Sequence, residues 1–118
     1  MSGLRPHTLR IFVRDLERAL RWYEQVLGLG VAFRSGVEYA ALATEGISVA
    51  LEVADDEELV GRFVGLSFEV EELEAWVAER RAQGVGFEGG VRRQPWGGLL
   101  AHALDPEGNA ITLVQMPS

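Results

Sequence analysis

The sequence predicts an α+β fold: two βαβββ modules forming an open, curved mixed β-sheet, a half-barrel with the helices packed outside. Three observations predict it. The chain repeats its apolar pattern at an offset of 57 residues. Each copy holds one alternating segment, one segment of helical periodicity and three further strand-like segments. The strand faces turned away from the helices are mixed polar, so modules that meet through them enclose a polar-lined cavity rather than a dry core.

The repeat is read by setting Leu9-Arg-Ile-Phe-Val-Arg-Asp-Leu-Glu-Arg-Ala19 against Leu66-Ser-Phe-Glu-Val-Glu-Glu-Leu-Glu-Ala-Trp76. Leu9 falls on Leu66, Ile11 on Phe68, Val13 on Val70 and Leu16 on Leu73. Both copies run to a Gly-containing stop, Gly28-Leu-Gly30 and Gly84-Val-Gly86. Both end near a Gly-containing turn, Thr44-Glu-Gly46 and Asp105-Pro-Glu-Gly-Asn109. Residues 1–118 are thus expected to form a single domain of module 1 (about 5–54) and module 2 (about 62–116). The acidic run Asp55-Asp-Glu-Glu58 joins them as a solvated linker.

The elements follow in order. His7 to Val13 alternates, with Leu9, Ile11 and Val13 on one face and Thr8, Arg10 and Phe12 on the other, as a half-buried strand does. Asp15 is a plausible N-cap. Leu16, Ala19, Leu20, Tyr23, Val26 and Leu27 then keep helical spacing up to Gly28, a C-terminal stop. Strands are expected near 31–35, 37–43 and 46–54. The second copy predicts a strand over 64–70, a helix over 72–83, and strands near 85–91, 98–104 and 109–115.

The cavity side then carries Thr8, Arg10 and Phe12 on the first strand, and Gly65, Ser67 and Glu69 on its repeat. It carries Ser48, Ala50 and Glu52 on the strand at 46–54, and Thr112 and Val114 on the last strand. The same alternation also fits strands whose polar face meets solvent. His102 sits mid-strand, where it either supplies a base or hydrogen-bonding group or is structural. Arg10 with Glu52 or Glu69 suits an internal ion pair or a charged ligand. Trp96, in Gln94-Pro-Trp-Gly-Gly98, offers an indole face for stacking on an aromatic or cationic ligand, or else anchors its own loop. Tyr23 is expected to pack in the core, and Trp76 to pack or to make a dimer contact.

Composition excludes much. The chain has no cysteine, and all 11 of its cations are arginine, against 18 Asp and Glu, for a net charge of −7. Disulfides, thiolate zinc sites, a cysteine nucleophile and a lysine Schiff base are therefore ruled out. The acidic balance argues against nucleic acid and favours a cationic ligand. No stretch is long and apolar enough for a membrane span, and residues 1–6 lack the apolar core of a signal peptide, so a cytoplasmic location is expected.

Val13-Arg-Asp-Leu-Glu-Arg-Ala-Leu-Arg-Trp-Tyr-Glu-Gln-Val-Leu-Gly-Leu29, with Asp105-Pro-Glu-Gly-Asn-Ala-Ile-Thr-Leu113, resembles the vicinal oxygen chelate superfamily over essentially the whole chain. That superfamily includes glyoxalase I, extradiol dioxygenases and bleomycin-resistance proteins. Its metal-dependent members hold a divalent cation on inward-facing strand residues, typically His, Gln or Glu. Carried onto this sequence, those positions are Thr8, Gly65, Ala50 and Thr112. Such a set does not hold a metal, which in enzymes takes about three protein ligands. The Pro-Trp-Gly segment is similar to one in bleomycin-resistance proteins.

The resemblance therefore implies a non-enzymatic, metal-independent binding protein with no cofactor, acting as a homodimer. Its ligand would be an aromatic or cationic antibiotic or metabolite, held by Thr8, Arg10, Phe12, Glu52, Ser67, Glu69, Trp96, His102 and Thr112. The alternative is a metal-dependent lyase, isomerase or dioxygenase with a non-standard site, using His102 and Glu52. A degenerate member acting only as a structural partner would lack a ligand-sized cavity.

Overall fold

The structure, a computed structural model, describes residues 3–118. The chain divides into two compact units, Met1–Val60 and Gly61–Ser118. Each builds its own open sheet and packs one helix on it.

Unit 1 contains β1 (Thr8–Val13), α1 (Leu16–Leu27), β2 (Val31–Ser35), β3 (Tyr39–Leu42) and β4 (Ser48–Val53). The sheet order is β1-β4-β3-β2; β1 and β4 run parallel and the other pairs antiparallel. α1 begins where Asp15 Oδ1 accepts the Arg18 amide at 3.1 Å and ends where Gly28 turns left-handed at φ 72°. Its stripe of Leu16, Ala19, Leu20, Tyr23 and Val26 is buried, together with Ile11, Val13, Val49 and Leu51 of the sheet.

Unit 2 contains β5 (Phe63–Glu69), α2 (Leu73–Ala82), β6 (Gly86–Phe87), β7 (Arg92–Arg93), β8 (Leu99–Leu104) and β9 (Ala110–Gln115). Its order is β5-β9-β8-β6, with β7 also pairing β8, and β5 runs parallel to β9. Here the core is Leu73 and Val77 of α2 with Ala101, Ala103, Ile111 and Leu113 of the sheet.

Two sequence expectations are corrected. The strand near 85–91 is interrupted, because Gly89 adopts φ 75° and the chain bends through Glu88–Gly90 before pairing resumes at Arg92. The run Asp55–Glu58 is not a bare linker. Asp56 caps a 3-10 turn over Glu57–Leu59, its Oδ1 accepting the Glu58 amide at 2.9 Å, and Arg14 Nε binds Glu57 at 2.8 Å.

The β8–β9 turn is held by buried side chains. Asp105 Oδ1 accepts the amides of Glu107 and Asn109, both at 2.9 Å, and Oδ2 accepts Asn109 Nδ2 at 3.0 Å. Asn109 Oδ1 accepts the amides of Gly61 and Arg62 at 2.9 and 3.0 Å, which ties the entry to β5 onto this turn. Asn109 is only 1% exposed, and its replacement removes the partner of two part-buried amides and of the buried Asp105 Oδ2 together. Asn109→Ala is expected to lower unfolding free energy by about 2–4 kcal/mol, measured by urea denaturation. A loss below about 1 kcal/mol would remove the turn from this role.

Candidate functional site

In unit 1, Arg10 stands on β1 opposite Ala50 of β4, which in turn stands opposite Ala41 of β3. The two small neighbours leave the long side chain free to lie diagonally. Arg10 Nη1 reaches Glu52 Oε1 at 3.2 Å and Oε2 at 3.4 Å, and its guanidinium lies 5.3 Å from the centre of the Phe12 ring. Arg10, Phe12 and Glu52 are thus brought together, as the alternation predicts. With side-chain exposures of 54% and 31%, the ion pair contributes about 0.2–1 kcal/mol and acts mainly as an orienting contact. Thr8 lies at the start of the same strand, paired in register with Ser48 and hydrogen-bonded to His7. A cavity of about 370 Å³ is lined by Glu38, Tyr39, Glu52, Val53, Ala54 and Asp55.

In unit 2 a polar row crosses three strands. Ser67 of β5 pairs in register with Thr112 of β9, and Thr112 with His102 of β8. His102 Nδ1 and Thr112 Oγ1 share a hydrogen bond of 2.9 Å. Phe63 meets the imidazole edge-on, with ring centres 5.3 Å apart. Thr112 is only 3% exposed, so its role is to hold the imidazole rather than to face a ligand. Glu69 is exposed, in register with Val114. His102 borders a second cavity of about 290 Å³, together with Glu88, Gly89, Gly90, Arg92, Gln94 and Leu100.

Trp96 stands apart, at the tip between β7 and β8, and is 51% exposed. Part of its ring lies close against Gly98, where a Cβ would overlap Cζ3 and Cη2 and stand 2.9 Å from the Gln115 carbonyl oxygen. The loop-anchoring role is therefore met, while half of the indole stays accessible. Trp76 packs within its unit, against Phe87 and under the Arg80 guanidinium at 4.3 Å.

The four positions that the resemblance assigns to a metal do not fit one. Ala50 and Gly65 bear no donor atom, and the Thr112 hydroxyl is engaged by His102. Among the described residues no group of three or more His, Asp or Glu side chains converges.

Sequence reasoning named only Glu52 among the lining residues of the first cavity and only His102 among those of the second. Glu88, Gly89 and Gly90 fall within the strand expected near 85–91, and Gln94 within the Pro-Trp-Gly segment. The signal that could have found them is Gly89-Gly90 followed by two arginines, a break where a strand was expected.

Two substitutions test this geometry. Thr112→Val is expected to lower stability by about 1 kcal/mol and to release the imidazole, read as altered ring ¹⁵N shifts of His102. Gly98→Ala is expected to cost about 1–3 kcal/mol and to shift tryptophan emission, because the indole must leave its seat. Unchanged emission would show that Trp96 is not seated on Gly98.

The comparisons with known proteins agree with this architecture. The sequence matches the Glyoxalase/Bleomycin resistance protein/Dioxygenase superfamily over residues 5–113. A superfamily member from Sphaerobacter thermophilus is similar in structure, with a TM-score of 0.82, 25% identity, and coverage of 96% of this chain and 98% of that one. TnmS3, an antibiotic-binding protein from a Streptomyces species, is similar at a TM-score of 0.75 and 29% identity, covering 100% of this chain and 99% of that one. A lactoylglutathione lyase from Agrobacterium tumefaciens shares the fold at a TM-score of 0.76 and 18% identity, covering 97% and 95%. No curated protein matches the sequence. The repeated βαβββ units and the sequence match over residues 5–113 together place the chain in the Glyoxalase/Bleomycin resistance protein/Dioxygenase superfamily.

Proposed function

We propose that this chain binds a small organic molecule without a metal, sequestering an aromatic or cationic antibiotic or metabolite, and acts as a homodimer. The observation that carries the reading is the donor set: Thr8, Gly65, Ala50 and Thr112 stand where the family's metal-dependent members place ligands, and the Thr112 hydroxyl is held by His102. Metal sites are built from imidazole, carboxylate and thiolate donors, and these positions offer two hydroxyls at most.

Three further facts support binding. The similarity to an antibiotic-binding protein extends over the full chain. The net charge of −7 favours a cation. Trp96 keeps half its surface accessible for stacking. The remaining contacts assigned to a ligand are Arg10, Phe12 and Glu52 in unit 1, with Thr8 on the same strand, and Ser67, Glu69 and His102 in unit 2, where Thr112 holds the imidazole.

Thermal-shift measurements test this. Bleomycin or another aromatic cation at one hundred times its Kd is expected to stabilise the protein by about 2.7 kcal/mol, while nickel, zinc, manganese and iron leave Tm unchanged. Purified protein carrying near-stoichiometric metal would overturn the reading.

A further inference from the structure

The cavity that His102 borders carries two opposite charges that, among the described residues, neither pair with each other nor have another partner. Glu88 and Arg92 both line its volume of about 290 Å³. Among the described residues neither the Glu88 carboxylate nor the Arg92 guanidinium has an ion pair or hydrogen bond. By contrast Arg10, Arg14, Arg34 and Arg80 each hold a glutamate.

The walls between these charges are fixed. Arg81 Nη2 donates to the Gly89 carbonyl at 2.6 Å, which ties the bend to α2. The Glu88 amide donates to the His102 carbonyl at 2.9 Å. The far wall is closed by the Gln94 amide on the Gly98 carbonyl at 2.8 Å. Leu100 supplies an apolar surface. His102, its Nδ1 held by the buried Thr112, keeps Nε2 as its remaining hydrogen-bonding atom. Both side chains are exposed at the rim, and the backbone that carries them is tied down, so a ligand bearing both complements can reach both charges without displacing a partner.

We infer that this cavity takes a small zwitterion with an apolar arm, its ammonium on Glu88, its carboxylate on Arg92 and its arm on Leu100 beside His102. The inference rests on the small-molecule reading above and names the ligand chemistry of one unit. The volume suits a molecule with a single ring, at the small end of ordinary ligand pockets.

The probes are L-phenylalanine, 2-phenylethylamine and 3-phenylpropionate, which share the ring and differ in charge. Calorimetric titration of the full chain is expected to show binding of phenylalanine at least tenfold tighter than either singly charged analogue. Glu88→Gln and Arg92→Gln are each expected to weaken it about tenfold, because each removes one charge-assisted contact. Gly90→Leu is expected to abolish it. Gly90 lies outside the left-handed region and a Cβ there meets no atom within 4 Å, so that variant fills space without strain. Its Tm without ligand should stay within about 2 °C of the parent.

Equal affinity for the three probes, no binding of phenylalanine, or binding indifferent to all three substitutions would overturn the assignment. If an aromatic cation still stabilises the protein while phenylalanine does not bind, the zwitterion site falls and the broader binding reading stands. If neither binds, both fall.

Discussion

The buried carboxamide of Asn109 is the contact on which unit 2 depends. It binds the Asp105 carboxylate on one side and the amides of Gly61 and Arg62 on the other, so one side chain joins the β8–β9 turn to the entry of β5. A turn held this way sets the β8–β9 register, and strand register decides which face each side chain occupies. His102 lies opposite Thr112 because of it. A slip of one residue would turn the imidazole away from Thr112 and away from the cavity that it borders.

Charge is distributed by the same logic of partners. Most of the arginine–glutamate pairs are exposed, and such pairs contribute little to stability in water. Their effect is to orient side chains, while the acidic balance comes from the excess of 18 Asp and Glu over 11 Arg. Arg10 shows this on β1, where small alanines on the neighbouring strands make room for it to lie over Phe12 toward Glu52. Glu88 and Arg92 differ in having no such partner among the described residues, so charges of both signs stand open at one cavity.

One scaffold carries both catalysts and binding proteins, so fold alone does not assign chemistry. The similar structures illustrate this, since one is a lyase by name and another an antibiotic-binding protein. What distinguishes this chain is the side chains at a few strand positions. A methyl group, a hydrogen atom and two hydroxyls are poor donors for a divalent cation. The same positions leave Arg10, Glu52 and His102 as the chemically capable groups on the polar strand faces.

Much of the fold was legible before any coordinates. The offset of 57 residues is read by setting one half of the chain against the other, and the Asp15 cap, the Gly28 stop and the buried Tyr23 follow from local rules that act within a few residues. The pairing of Arg10 with Glu52 was legible as one of two choices, because period-2 alternation placed them on the same face. Alternation could not reveal that Thr112 is buried behind His102, since burial depends on which strand lies alongside. Nor could it reveal the cavity at Glu88–Gln94, which arises where left-handed Gly89 breaks a strand and a distant α2 arginine ties down the bend. The sequence by itself determined most of the elements, their faces and which residue types stand at each strand position, because those are properties of residue type and spacing. Only the tertiary structure decided which polar groups are satisfied and which stay open to a ligand, because a hydrogen bond needs two groups that the folded backbone brings within about 3 Å.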